Sequence, residues 1–78
     1  MKYVYILHSV EGDHFYVGIT DDFRARLSMH NAGAVPHTSK FRPWRVKTYT
    51  AFIDQEQAFK FEKYLKSPSG RAFAKKRL

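Results

Sequence analysis

Folding explains the carboxylate of Glu62 least well of all the side chains in this chain. On a helix spanning about residues 55–66, Ala58, Phe61 and Leu65 form an apolar stripe that Phe59 extends, and at 100° per residue Glu62 falls about 40° from Ala58, inside it. A carboxylate in that place must be ion-paired, protonated or bound to a metal, because an isolated buried charge is too costly. A salt bridge to Arg26 or a nearby lysine and a metal site account for the position equally well. Two phenols raise a second question. In the stretch FYVGIT, Phe15 to Thr20, Tyr16 and Gly18 interrupt an apolar series where packing favours Val or Ile. Period-two alternation places Tyr5, Tyr16 and Gly18 on one face of a hairpin, and the glycine between two phenols leaves a gap through which something can approach the backbone. A third group lies on the following helix. With Phe23 at zero, Leu27 falls at about 40°, His30 at about 340° and Arg26 at about 300°, so Arg26 and His30 adjoin the inward stripe, whereas Arg24, at about 100°, faces solvent or touches phosphate generically. Each residue has an ordinary explanation when taken singly: Tyr forms strands well, Arg26 can snorkel over the core edge, and His30 suits a helix C-terminus.

The charge of the chain narrows what such a set would act on. Fourteen Lys and Arg against seven Asp and Glu give a net charge of +7, which on so small a domain points to a polyanionic partner, nucleic acid first. The excess is concentrated between Lys60 and Leu78, where Lys60, Lys63, Lys66, Arg71, Lys75, Lys76 and Arg77 are opposed by Glu62 alone. A phosphate-tracking face explains this one-sidedness better than a merely solvated helix surface. The chain has no cysteine, which excludes a disulfide framework, a thiolate zinc site and a thiol nucleophile. Its first residues enter the pattern YVYIL without a cleavable signal, and no apolar run approaches the roughly 20 residues that span a bilayer. A soluble cytoplasmic protein with no membrane partner is expected.

The 78 residues suffice for one small domain, so any site must be shallow and built on the faces of the same few elements. Lys2 to Val10 alternates as a strand, Glu11-Gly12-Asp13-His14 supplies turn chemistry, and Phe15 to Thr20 returns. Asp21 or Asp22 caps a helix running to about Asn31, which Gly33 ends in the left-handed conformation. A polar loop leads through Arg42-Pro43-Trp44 to a third strand, about Arg45 to Phe52. Asp54 caps a second helix ending near Lys66, and Ser67-Pro68 opens a last one, about Ser69 to Arg77. The expected fold is α+β, a small antiparallel three-stranded sheet flanked by helices in the order ββαβαα, as a single domain over residues 1–78. If Gly12-Asp13 form a two-residue loop, Tyr5 faces Thr20, Leu7 faces Gly18 and Ser9 faces Tyr16. Val4, Ile6, Val10, Phe15, Val17 and Ile19 then line one face as a core layer, with His8 among them. Tyr3, Tyr5, Leu7, Ser9, Tyr16, Gly18 and Thr20 line the other.

Over essentially its whole length the chain resembles a known family, the GIY-YIG nucleases, and in particular their short stand-alone bacterial members. The resemblance rests on Tyr3-Val4-Tyr5 and Tyr16-Val17-Gly18 on the first two strands, on the Asp-Asp-x-Arg-x-Arg-Leu-x-x-His-Asn helix from Asp21 to Asn31, and on Glu62 within Phe-Glu-Lys-Tyr-Leu-Lys. Either tripeptide alone is a weak signal, whereas the ordered set with its spacing is specific. Tyr3 stands where the family name has Gly, both motif Ile residues are Val, and no Asn follows Glu62 although many members carry one.

The resemblance implies a divalent-metal-dependent endonuclease that hydrolyses phosphodiester bonds by in-line attack of water. Tyr5 would be the phenol beside the attacked phosphate, as general base or orienter of the water, and Tyr16 would hold phosphate or water. Arg26, not Arg24, would stabilise the charge that accumulates in the transition state. His30 would assist proton transfer or phosphate contact, and Glu62 would hold a single Mg²⁺ or Mn²⁺ whose other ligands are waters and substrate oxygens. A phenol with a reference pKa of about 10 is a poor base unless cations lower it, and His30, near 6.5, competes for that role; the sequence leaves the two open. Gly18, Arg24, Lys40, Arg42, Lys63, Lys66 and Arg71 are the candidate nucleic-acid contacts, with Thr38 beside them in the central loop. A domain of this size has no room for a base-reading module, so backbone-dominated binding to DNA, or to RNA, with low sequence specificity is expected, or recruitment by a protein partner. DNA repair or recombination is the expected setting. The alternatives are a non-catalytic nucleic-acid-binding module that retains the fold, and a small RNA-associated structural protein.

Overall fold

A computed structural model describes residues 1–78. Three strands, β1 (Lys2–Ser9), β2 (Phe15–Thr20) and β3 (Trp44–Phe52), and three helices, α1 (Phe23–Asn31), α2 (Gln55–Leu65) and α3 (Pro68–Arg77), follow in the order ββαβαα. The strands form one antiparallel sheet in the order β2-β1-β3. β1 takes the centre because its run Val4-Tyr5-Ile6-Leu7 is buried at every position, which requires cover on both faces. Val4 and Ile6 pack with Ala58 and Leu65 of α2, and Val17, Ile19, Phe52 and Phe61 close around them. On the opposite face Tyr5 and Leu7 pack with Trp44, joined by Tyr16, Leu27 and Val46.

The helix ends carry the chemistry that their positions call for. The Asp22 carboxylate accepts from the Ala25 N–H (3.2 Å), and that of Asp54 accepts from Glu56 and Gln57, so each satisfies donors that a helix start leaves free. At the end of α1, Gly33 has φ +80°, its N–H reaches His30 O and that of Ala34 reaches Met29 O, a Schellman closure. Ser67 Oγ accepts from the Gly70 N–H and opens α3, with Pro68 in the first turn. β3 and α3 each start one residue earlier than the sequence suggests, and Ser39–Phe41 makes a short 3₁₀ turn that no periodicity announced.

The hairpin register differs from the two-residue-loop expectation. Tyr3 faces Thr20, Tyr5 faces Gly18 and Leu7 faces Tyr16. The turn is longer, with Ser9 N–H bonded to His14 O at 2.9 Å and Asp13 in the left-handed region at φ 52°. Ser9 is the cause: its buried hydroxyl accepts from the Gly12 N–H and donates to Phe41 O, so the side chain competes with strand pairing and starts the turn early. The slip is two residues, so the facial sorting survives. Two members of the expected core layer are nevertheless outside it. Val10 lies in the turn and is exposed, and Phe15 is exposed as well, stacked on His8 at 4.7 Å with Lys47 over its ring.

Candidate active site

Pairing Tyr5 with Gly18 decides where the first phenol lies. A Cβ built on Gly18 would overlap Tyr5 Oη and Cζ. The gap that the sequence suggested for an approaching ligand is therefore filled by Tyr5 itself, and Gly18 serves by housing that ring, not by contacting nucleic acid directly. Tyr16, two residues before Gly18, brings its ring centroid to 6.4 Å from that of Tyr5.

α1 delivers the next two groups. His30, in its last turn, is fully buried, with Nε2 3.0 Å from Tyr5 Oη and its ring 4.9 Å from that of Tyr16. One turn earlier, Arg26 lies beside the phenols of Tyr5 and Tyr16, whose influence, that of Tyr5 first, pushes its pKa up, while its Nη1 donates to Met29 Sδ at 4.0 Å. Burial raises the pKa of Tyr5, and the charges of Tyr16 and Glu62 push the same way; Arg26 opposes them. His30 is pushed down, by burial first and by Arg26 second. Near neutral pH the cluster therefore holds a neutral phenol and a neutral imidazole beside a fixed cation.

Glu62 comes from α2, at the edge where its charge is felt by Tyr5. Its side chain is half-buried and its partner is Lys66, with Nζ 2.6 Å from Oε2. The ion pair that the sequence offered as one explanation is present, and the partner is a lysine one turn away on the same helix, not Arg26. No three His, Asp or Glu side chains group together as a chelating set. A cation at this edge would have Glu62 with waters and substrate oxygens as ligands, a donor set that suits a hard divalent ion. A divalent ion bound there would displace Lys66 Nζ from Oε2.

The remaining basic residues fall into separate places. Arg24, Lys40 and Lys63 are exposed on α1, the 3₁₀ turn and α2. Arg42 folds back over Gly33 and its Nε donates to Ser39 O at 2.9 Å, so it closes the loop as well as presenting charge. Lys66 and Arg71, with Lys47 and Lys75, border a cleft of about 770 Å³ between the hairpin and α3. Tyr16 belongs both to this cleft and to the phenol cluster.

Two residues of the site were not identified as such from the sequence. Thr38 is buried, with Oγ1 2.7 Å from His30 Nδ1, so it cannot make the nucleic-acid contact suggested for it. Asn31 clamps the start of β3: Trp44 N–H donates to Oδ1 at 2.6 Å and Nδ2 donates to Trp44 O. Trp44 Nε1 in turn donates to Thr38 O at 2.8 Å. An aperiodic loop gives no pattern from which such contacts can be foreseen.

Comparison with known proteins shows the family. Residues 1–77 match the model of the GIY-YIG catalytic domain. A UPF0213 protein of Lacticaseibacillus paracasei is 38% identical over 65 residues, which cover 82% of this chain and 72% of that protein. One from Streptococcus pneumoniae is 34% identical over 65 residues, covering 82% of this chain and 65% of that protein, just under two thirds of its length. The solution NMR structure of a UPF0213 protein from Bacillus halodurans superposes with a TM-score of 0.58 at 31% identity, covering 96% of this chain and 81% of that one. With a tyrosine from each motif strand packed around one histidine, and with the family model matched from end to end, the chain belongs to the GIY-YIG family.

Proposed function

We propose that this protein is a divalent-metal-dependent endonuclease that hydrolyses phosphodiester bonds of DNA with low sequence specificity. The observation that carries the proposal is the convergence of Tyr5, Tyr16, Arg26 and His30 on one point, with the charge of Glu62 felt at Tyr5. Folding alone has no use for a guanidinium beside two phenols. A phosphate beside Tyr5 would meet Arg26 as a preorganised donor for the negative charge that grows on its oxygens. Tyr16 would hold the phosphate or the attacking water. Water attacks phosphorus in line with the leaving sugar oxygen, its proton passes to the Tyr5–His30 pair, the P–O bond breaks, and the leaving oxygen takes a proton from solvent. Mg²⁺ or Mn²⁺ held by Glu62 would supply Lewis-acid stabilisation of this charge when bound. The basic cleft beside Tyr16 would track the backbone of the strand, with no base-reading element, and a protein partner would then supply targeting. Cytoplasmic DNA repair or recombination suits such an activity.

The test is nicking of supercoiled plasmid with and without Mg²⁺ or Mn²⁺, comparing wild type with Glu62→Ala. Metal-dependent nicking by wild type alone is expected, and equal activity in both proteins would overturn the proposal. One observation favours a second reading, a non-catalytic nucleic-acid-binding module: Lys66 already occupies Glu62. That reading expects DNA or RNA binding that Glu62→Ala and Tyr5→Phe leave intact, with no cleavage to lose.

A further inference from the structure

Lys66 belongs to two places at once. The Glu62 carboxylate is half-buried on α2, where its charge needs a partner, and Lys66 supplies one from the C-cap of the same helix, with Nζ 2.6 Å from Oε2. Lys66 is itself half-exposed and also borders the cleft between the hairpin and α3. Lys47, Arg71 and Lys75 share that cleft, opposed by Asp13 alone. Like charges at close quarters disfavour a further ammonium among them, so in the free protein the field presses Lys66 toward Glu62. A phosphate backbone in the cleft reverses the sign of that field and offers the ammonium new oxygens. The stem of a lysine is flexible, and the exchange needs no movement of the helix.

Glu62 has the complementary need. No group of three His, Asp or Glu side chains stands ready to chelate a metal, so a divalent ion approaching the free protein would find one carboxylate and would have to evict an ammonium group from it. A bound strand removes both obstacles, because its oxygens add ligands and its phosphates hold the lysine. We propose that Lys66 is a positioning residue that exchanges Glu62 for phosphate: it masks the carboxylate in the free protein, and a nucleic-acid backbone in the cleft draws it away, so that Glu62 binds a divalent cation well only with the strand in place. The inference rests on the nuclease reading for the use made of Glu62. Nucleic acid and cation are then coupled ligands, each raising the affinity for the other by one and the same factor.

The experiment is a Ca²⁺ titration, a hard divalent probe, followed through the backbone amide shifts around Glu62 in ¹H–¹⁵N spectra at fixed salt. Wild type, Lys66→Gln and Lys66→Arg are each titrated free and saturated with a short DNA duplex. Free Lys66→Gln should bind Ca²⁺ about threefold more tightly than free wild type, the scale of one partly exposed ion pair, and Lys66→Arg, which keeps the pair, should match wild type. The duplex should raise the wild-type affinity by at least about fivefold. In Lys66→Gln that gain should be about threefold smaller, because its carboxylate is already unmasked. A role confined to helix stability would leave the free-state Ca²⁺ affinity unmoved. Equal affinities for free wild type and free Lys66→Gln, a wild-type affinity indifferent to the duplex, or no shift around Glu62 in any form overturns the inference. A wild type that nicks no DNA sinks the proposed function, and the Ca²⁺ titrations still decide whether Lys66 makes the exchange.

Discussion

The phenol of Tyr5 occupies the space that a side chain at Gly18 would need, since any Cβ at position 18 would overlap Tyr5 Oη. The two residues face each other across the β1–β2 pair, so neither strand can move to relieve the clash without breaking the ladder. Gly18→Ala should therefore displace the ring and its contact with His30 while the sheet persists. A displacement of about 1 Å at a reacting group costs on the order of 10²-fold in rate. Nicking should fall by about that factor, with a far-ultraviolet dichroism spectrum like that of wild type. Wild-type activity in Gly18→Ala would mean that the exact seat of Tyr5 does not matter to the chemistry.

The order of elements, the three capping residues and the facial sorting of the hairpin were legible because each depends on local rules. Asp22, Asp54 and Ser67 cap the helices as expected, and alternation put Tyr5 and Tyr16 on one face whatever the loop length, provided that it was even. The exact register was not legible, because it depended on Ser9 bonding to Phe41, a residue 32 positions away. Glu62 was recognisable as misplaced in an apolar stripe, yet its partner could not be picked from the surrounding lysines. Thr38 was misassigned for a similar reason. A polar residue in a polar loop looks like surface until the loop is seen to fold its hydroxyl under α1 and its carbonyl under Trp44.

Gly70 should be the most sensitive glycine for stability. A Cβ there would overlap Tyr64 O and lie 2.7 Å from Leu65 Cα, and backbone atoms cannot swing aside as a flexible side chain can. Gly70 lies in the first turn of α3, where its N–H is held by Ser67, and Ser67 itself bonds to Tyr64 O. Gly70→Ala should thus lever α3 off the end of α2 and uncover Leu65, a core residue. The expected loss in a urea titration is in the range of a core truncation, about 2–5 kcal/mol. A loss below about 0.5 kcal/mol, as for an ordinary surface change, would contradict this packing.

His30 should make stability depend on pH. Its pKa in the folded chain is below the ordinary value because of burial and Arg26; Tyr5, Tyr16 and Thr38 complete its surroundings and offer no carboxylate. A group whose folded pKa is depressed takes up a proton on unfolding. Its contribution to stability is therefore present above the unfolded value, about 6.5, and is lost as pH falls through the folded value. Urea midpoints should fall between pH 7.5 and pH 5 more steeply in wild type than in His30→Gln, by an uptake of no more than one proton on unfolding. Parallel pH profiles for the two proteins would show that the imidazole is not held neutral by its site.

The cleft beside Tyr16 should report its role through salt. Arg71 and Lys75 lie on α3 and Lys47 on β3, so cations from two elements face one space, opposed by Asp13. If a nucleic-acid backbone runs there, each cation that meets a phosphate releases counterions, and the slope of log K against log salt concentration reports their number at about 0.9 per phosphate on a duplex. Arg71→Ala with Lys75→Ala should then weaken binding to unrelated DNA sequences equally and flatten that slope by about 0.9 for each residue removed. Arg24→Ala, on the exposed side of α1, should change the slope less. Fluorescence anisotropy on a labelled duplex between about 50 and 200 mM salt measures wild type and both variants. An unchanged slope for the double variant would move the backbone path off the cleft and onto the α1 side of Tyr16.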